Sequence, residues 1–110
     1  MDVTRDLKIV IRGVEDAGGL RDFAQDKLLE SLERFEDRVV GATVRLDDVT
    51  GPEKGGVDKV CSIDVKLRTG EVHIKEEGDD FHATIDVAID RLRTALSREV
   101  SRAKRGIGQG

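Results

Sequence analysis

The sequence CSIDVKLRTGEVHIK, residues Cys61–Lys75, decides the fold, because two strand-like patterns meet in it at a tight turn. Apolar residues occupy every second position on both sides of Thr69-Gly70, which is the period of a strand with one face in a core. These alternating apolar residues are Cys61, Ile63, Val65, Leu67, Val72 and Ile74. The stretch therefore predicts a hairpin of two antiparallel strands.

The residues after this hairpin predict a long amphipathic helix. Asp79 or Asp80 can cap its start, and apolar residues then recur at helical spacing to about Ala103. These apolar residues are Phe81, Ile85, Ala88, Ile89, Leu92 and Leu96. The final GIGQG is expected to be a flexible tail over residues 106–110, which leaves residues 1–105 as a single domain.

Upstream of the hairpin, the pattern predicts a strand, a helix and a second strand. Alternation indicates a strand near Val3 to Arg12, and helical spacing then runs from Leu20 through Arg38. Alternation returns at Ala42, Val44 and Leu46 and is followed by TGPEKGG, which is typical of an exposed loop. The predicted order is β-α-β-β-β-α.

The outward strand positions decide where the two helices lie. These positions are Arg45, Ser62, Asp64, Lys66, Glu71, His73 and Lys75. Because they are polar with mixed charge, both helices are expected on the opposite face of the sheet. The predicted fold is α+β, a four-stranded sheet with two helices packed on one face, in a layout like that of double-stranded-RNA-binding domains.

Composition excludes several classes of protein. At 110 residues the chain has room for one modest core. With no Trp or Tyr and three Phe, it has few side chains on which RNA bases could stack. Its one cysteine, Cys61, cannot form an internal disulfide, and neither a signal peptide nor a membrane span is recognisable. A cytoplasmic location is therefore expected.

Charge is distributed unevenly along the chain. Residues 1–90 hold 13 Lys and Arg against 22 Asp and Glu, whereas residues 91–110 hold 6 against 1. The overall charge of −4 thus divides into −9 and +5. Segregation of this kind suggests that the last helix faces something anionic.

Both predicted helices carry basic residues along one side. On the second helix, Arg91, Arg98, Arg102 and Arg105 fall in a narrow stripe, the arginine row, about 120° from the centre of the apolar face. On the first helix, a similar stripe flanks the apolar face and is called here the helix-one row. Its members are Lys27, Arg34 and Arg38. Such stripes suit phosphate oxygens, but they are also typical of solvated faces held by ion pairs.

Two separated motifs resemble the ribosome hibernation promoting factors, also called ribosome-associated translation inhibitors or ribosomal subunit interface proteins. The family has G-E-hydrophobic-H on its last strand, matched by Gly70–His73. It then begins its second helix with a hydrophobic-Tyr-Ala-Ala-Ile-Asp pattern followed by Asp-Lys-Leu. The residues that match this second motif are Ala83, Ile85, Asp86, Asp90, Arg91 and Leu92. FEDRV resembles the end of the family's first helix, and the match runs from about Leu7 to Lys104.

The resemblance implies a non-enzymatic translation regulator that binds the small ribosomal subunit where messenger and transfer RNA would sit. Its contacts would be to phosphates of ribosomal RNA. Carried over by position, the basic sites are Arg91, Arg98, Arg102 and Lys104 on the second helix and Arg21, Lys27 and Arg38 on the first. The sequence departs from the family at His82, which replaces the usual Tyr, at Ser31, where Lys is common, and at Glu36, where an apolar residue is frequent. Ending after the second helix, the chain resembles the short form of the family.

Three other functions fit the sequence less well. A protein-interaction or stress-regulatory module with little RNA affinity is the alternative that the acidic residues 1–90 favour. A double-stranded-RNA binder would use a lysine cluster at the start of its second helix, which is absent. An enzyme is disfavoured because Cys61 and His73 are expected on opposite faces of the sheet, and because no serine elbow, P-loop or zinc pattern occurs. No catalytic residue, metal, cofactor, small-molecule substrate, DNA or membrane partner is predicted.

Asp86 and Asp90 could in principle hold a metal ion or act as an acid and base pair. They lie four residues apart on one helix face, but no third ligand accompanies them at helical or strand spacing. Because Arg93 follows three residues after Asp90, a solvated and partly paired flank is the better interpretation.

Overall fold

Alternating apolar residues build a four-stranded sheet, and two amphipathic helices cover one of its faces. The computed structural model describes residues 7–12, 19–49 and 58–109, and describes their side chains except at Arg12 and residues 103–109. The elements are β1 (Leu7–Arg12), α1 (Leu20–Leu32), a 3-10 segment (Glu33–Arg38), β2 (Val39–Asp48), β3 (Lys59–Leu67), β4 (Gly70–Gly78) and α2 (Phe81–Gln109). The predicted order β-α-β-β-β-α is confirmed. The expected strand residues 3–6 and the expected loop at 50–56 lie outside the described residues.

The strands lie side by side in sequence order. β1 runs parallel to β2, to which α1 connects it, and the remaining neighbours are antiparallel. The register aligns Ile9, Val44, Ile63 and Ile74 in one row across all four strands. All four side chains are buried, so this row forms the sheet's contribution to the core.

The two helices lie on this apolar face, as the polar outward positions predicted. Leu28 and Leu32 of α1 and Ile85, Leu92 and Leu96 of α2 are almost completely buried. Burying a side chain of this size stabilises the fold by roughly 1.5–3 kcal/mol, so the apolar stripe of α2 determines which of its sides face solvent. The opposite face of the sheet remains open, with Arg45, Asp64, Lys66 and His73 exposed.

The first helix differs from its prediction at its C-terminal end. Helical spacing was expected to continue through Arg38, but α1 ends at Leu32 and the backbone tightens into the 3-10 segment. Phe35 leaves helical geometry there, with φ −116° and ψ 16°, and its side chain is only 9% exposed. The tighter turn thus directs Phe35 into the core just before β2 begins.

Two further features concern the start of α1 and the end of α2. Gly19, at the N-cap position of α1, has φ 70°, a left-handed conformation that residues with a Cβ rarely adopt. The second helix continues to Gln109 rather than ending near Ala103. The flexibility of residues 106–110 stays a prediction.

Candidate nucleic-acid interface

The start of α2 is held by a side-chain cap that sets the direction of the whole helix. Asp80 accepts a hydrogen bond from the backbone N–H of Ala83 at 2.9 Å, so the second of the two predicted caps is the one used. Thr84, which is buried, donates its hydroxyl to the backbone oxygen of Asp80 at 2.7 Å. Phe81 is buried in the core beside this turn. These contacts fix the rotation of α2 and therefore the side on which each basic residue lies.

Arg91 lies on the flank of α2 that faces β4 and contacts that strand. Its guanidinium donates to the carboxylate of Glu76 and, at 3.4 Å, to the backbone oxygen of Lys75. The Arg91 side chain is still 57% exposed, whereas that of Glu76 is 21% exposed. Arg91 is therefore anchored at its tip but remains accessible to a ligand from solvent.

Arg102 lies farther along the same flank and pairs with Glu99 of its own helix. The side chain of Glu99 is 14% exposed, because it packs against the start of β4. A Cβ at Gly70 would come within 2.7 Å of the Glu99 carboxylate, so the glycine of the Gly70–His73 motif leaves room for this side chain. The carboxylate in turn orients a guanidinium that is 73% exposed.

Arg98 differs from both of its neighbours in the arginine row. It is exposed beside Ile74 of β4, and it forms no ion pair with any residue in the described part of the chain. Arg105 and Lys104 belong to α2, but their side chains lie outside the described residues. Among the described members of the arginine row, Arg98 is thus the one whose guanidinium is not paired with a carboxylate.

The first two basic residues of α1 are engaged within the fold. Arg21 donates to the backbone oxygen of Ile9 at 2.8 Å and so covers part of the edge strand β1. Lys27 lies 3.6 Å from Asp86 of α2 and 5.7 Å from the centre of the Phe23 ring. The expectation that Asp86 belongs to a partly paired flank is confirmed by this contact.

Arg34 and Arg38 lie in the 3-10 segment and face α2 across a depression. The depression, called here the interhelical groove, has a volume of about 490 Å³. Its lining residues are Arg34, Phe35, Asp37, Arg38, Ser97, Val100 and Ser101. The guanidinium of Arg34 lies 5.8 Å from the centre of the Phe35 ring, which steadies it by a cation–π contact.

The arginine row and the helix-one row lie on opposite flanks of α2. At about 100° per residue, Arg91, Arg98 and Arg102 fall on the side toward β4, while Asp86 and Ser97 fall on the side toward α1. The surroundings of these residues agree, since Arg98 lies beside β4 and Ser97 lies beside Arg34. A ligand touching both rows would therefore straddle the exposed top of α2.

Arg93 joins the two helices, and its contact with α1 was not predicted from the sequence. Its guanidinium lies 3.7 Å from Glu30 of α1 and 4.0 Å from Asp90 of α2. The spacing of three residues from Asp90 was visible in the sequence, but the contact with Glu30 depends on how the helices pack. The expected pairing of Asp90 with Arg93 is confirmed.

On the open face of the sheet, His73 of the Gly70–His73 motif forms a cluster with Asp64 and Glu71. The ring of His73 lies 2.5 Å from Asp64 through Nδ1 and 3.1 Å from Glu71 through Nε2. The hydrogen bond to Asp64, with a smaller contribution from Glu71, raises the pKa of His73 above its ordinary 6.5. Cys61 is on the buried face, where desolvation raises its pKa to about 12. The predicted separation of Cys61 from His73 is confirmed, so the two cannot form a catalytic pair.

Metal sites and membrane-spanning helices are both absent from the described residues. Among them, no His, Cys, Asp and Glu side chains are grouped so that three could hold a metal ion. Within the same residues, neither helix combines the length and apolar character needed to cross a membrane.

Known proteins resemble this chain over nearly its whole length. A ribosome hibernation promoting factor of Klebsiella oxytoca is 30% identical over 100 residues, covering 89% of this chain and 96% of the relative. One from Escherichia coli K12 is 29% identical over the same coverage. Among solved structures, the N-terminal domain of Thermus thermophilus Protein Y has a TM-score of 0.68 and 33% identity, covering 83% of this chain and 93% of that domain.

A second solved structure supports the fold alone. A ribosomal subunit interface protein from Coxiella burnetii has a TM-score of 0.65 at 22% identity, covering 86% of this chain and 98% of its own. The suggested likeness to double-stranded-RNA-binding domains is not confirmed by these structures. The sequence pattern of the family described as Sigma 54 modulation protein / S30EA ribosomal protein matches residues 7–104, and this chain therefore belongs to that family.

Proposed function

We propose that this protein is a non-enzymatic translation regulator that binds the small ribosomal subunit through phosphates of ribosomal RNA. Binding there would block the messenger and transfer RNA site during hibernation or stress, in the cytoplasm. Membership of a family whose curated relatives are ribosome hibernation promoting factors supports this function. The observation that carries it is Arg98, which is exposed on α2 and forms no ion pair with any described residue. The α2 helix includes the basic residues at the C-terminal end of the sequence.

The shape of α2 supports the same function. Its exposed top between the two flanks carries small side chains, which allow a rigid partner to approach the helix closely. These residues are Ala83, Thr94 and Ser101, and the exposed Val87 and Asp90 lie among them. Arginines border this ridge on the β4 side, and their planar guanidinium groups bind phosphate oxygens in pairs. The arrangement suits a phosphate backbone laid along the helix better than a single bound base.

The direct test is co-sedimentation of the purified protein with vacant small subunits at low salt. We expect the wild type to sediment with the subunits and Arg98→Glu to lose most of this binding. Arg45→Glu provides a matched control, because Arg45 is an exposed arginine on the open face of the sheet. Equal losses in the two variants, or no binding by the wild type, would rule out the proposed surface.

The alternative function is a protein-interaction or stress-regulatory module with little RNA affinity. It is favoured by the pairing of Lys27, Arg91 and Arg102 with carboxylates inside the fold. A pulldown separates the two functions: a protein partner retained after nuclease treatment supports the alternative, and loss of all partners supports ribosomal RNA binding.

A further inference from the structure

The interhelical groove is lined by two arginines that form no ion pair within the described part of the chain. Lys27 and Arg93 of the helical layer each lie within 4.0 Å of a carboxylate. Arg34 and Arg38, in contrast, form no ion pair with any side chain in the described ranges. Both line the same groove. Two unpaired guanidinium groups at one concave site are suited to binding an anion.

The remaining lining residues indicate what kind of anion would fit. Asp37 lines the groove as well, so among the described lining residues one carboxylate opposes two guanidinium groups, a net charge that suits one phosphate rather than a polyphosphate. Ser97 and Ser101 add two exposed hydroxyls from successive turns of α2. These hydroxyls can donate or accept hydrogen bonds, as the hydroxyls of a sugar require.

The size of the groove indicates that the anion is part of a larger ligand. Its volume of about 490 Å³ lies within the range of roughly 300–1,000 Å³ that small-molecule sites occupy, and a lone phosphate would fill little of it. Val100, together with the small exposed part of Phe35, supplies apolar surface beside the arginines. The cation–π contact to Phe35 holds Arg34 in place before any ligand arrives.

We propose that the interhelical groove is a mononucleotide site, in which Arg34 and Arg38 bind the phosphate while the nucleoside lies against Phe35 and Val100. A free nucleoside monophosphate and a single nucleotide of an RNA strand present the same chemistry to this groove. The site is separate from the arginine row on the other flank of α2, and its occupation requires no ribosome.

The experiment is an NMR titration of the isotope-labelled full chain with AMP, with inorganic phosphate and with a short single-stranded oligoribonucleotide, each separately. We expect AMP to shift the amides of Ser97 and Ser101 and the ring resonances of Phe35, and to bind more tightly than phosphate. Replacing Arg34 and Arg38 together with Ala should weaken AMP binding by roughly tenfold or more. Arg45→Ala is the matched control, because it removes an exposed arginine from the open face of the sheet, and it should leave AMP binding unchanged.

Several outcomes would overturn the proposal. AMP shifts spread equally over both flanks of α2, equal affinity for phosphate and AMP, or loss of binding in Arg45→Ala would each indicate attraction of anions without a nucleotide site. Binding of the oligoribonucleotide in the groove without any binding of AMP would assign the groove to an RNA path instead. Melting temperatures of the variants exclude misfolding as the cause. Because no ribosome is used, the result is independent of the co-sedimentation test of the proposed function.

Discussion

Arg91 and Arg102 are each bonded to a carboxylate, yet both can still contribute to binding RNA. Each guanidinium has five N–H donors, and the Arg91 and Arg102 side chains are 57% and 73% exposed, so one carboxylate leaves further donors facing solvent. A phosphate can therefore compete for these guanidinium groups. Glu99 is 14% exposed and Arg102 is 73% exposed, so the carboxylate holds the guanidinium from the protein side and leaves its outer side open to solvent.

His73 should make the free energy of unfolding depend on pH. Its pKa is raised by Asp64 and Glu71, so its protonated form is favoured by folding. The stabilisation is complete below the unfolded pKa of 6.5 and is lost as pH rises through the higher folded pKa. We expect the free energy of unfolding, measured by urea denaturation, to fall over that interval.

The matched pair for this prediction is Asp64→Asn and Asp47→Asn, which remove one carboxylate each from neighbouring strands. Asp64→Asn should lower the pKa of His73, followed by the imidazole resonances in an NMR pH titration, and should flatten the fall in stability. Asp47→Asn should leave the pKa of His73 and the fall in stability nearly as in the wild type. The reason is that Asp47 has no contact with His73 among the described hydrogen bonds and ion pairs. An unchanged His73 pKa in Asp64→Asn would contradict the assignment.

Gly78 and Gly70 provide a contrast between two close approaches to α2. A Cβ at Gly78 would lie 2.4 Å from the hydroxyl of Thr84, a short and stiff side chain that already donates to Asp80. We expect Gly78→Ala to destabilise the protein by about 1–3 kcal/mol in urea denaturation. Gly70→Ala should cost less, because the nearest atom belongs to the end of the longer Glu99 side chain.

The Thr84→Ala background checks the reason for the Gly78 effect. Removing the hydroxyl removes the nearest clashing atom, so Gly78→Ala should cost less in this background than in the wild type. An identical cost in both backgrounds would mean that the strain arises elsewhere.

At the scale of elements, the capped start of α2 controls a long helix. Asp80→Ala removes the bond to the N–H of Ala83 and should destabilise the protein by about 1 kcal/mol, read from thermal or urea denaturation. Asp79→Ala is the control, because it removes an adjacent exposed carboxylate that makes no such bond within the described residues. Equal effects of the two substitutions would show that charge near the helix end matters more than the cap.

The elements themselves were largely predictable from local patterns. Alternation at Cys61, Ile63 and Val65 predicts a strand because every second side chain must enter the core. Helical spacing predicts α1 but cannot distinguish an α-helix from the 3-10 segment after Leu32, because both geometries bring residues three or four apart to one side. The switch follows from the packing of Phe35, which is a tertiary contact.

The candidate site was less predictable than the elements. Spacing alone placed Arg91, Arg98 and Arg102 on one side of a helix. It could not reveal that Glu76 of β4 meets Arg91, since that contact joins residues on different elements. Nor could it reveal that Arg34 faces α2 on the flank opposite Arg98, which depends on the packing of the two helices.

At the scale of the whole molecule, the uneven charge should orient the protein as it approaches an anionic partner. Residues 1–90 carry −9 and residues 91–110 carry +5, so phosphates attract the last part of α2 and repel most of the remaining surface. Attraction of this kind acts over about one Debye length, roughly 8 Å at physiological ionic strength. Binding through it should therefore weaken as salt is added.

The salt dependence of binding small subunits tests this orientation quantitatively. If binding releases counterions from phosphates, the logarithm of the association constant should fall linearly with the logarithm of salt concentration, by roughly 0.7–0.9 per phosphate contacted. Arg98→Ala should reduce this slope by about 1, because one phosphate contact is lost. Arg45→Ala removes the same charge from the open face of the sheet, so it should leave the slope unchanged even if affinity drops slightly. Equal reductions in the two slopes would mean that net charge, rather than the position of Arg98 on α2, governs binding.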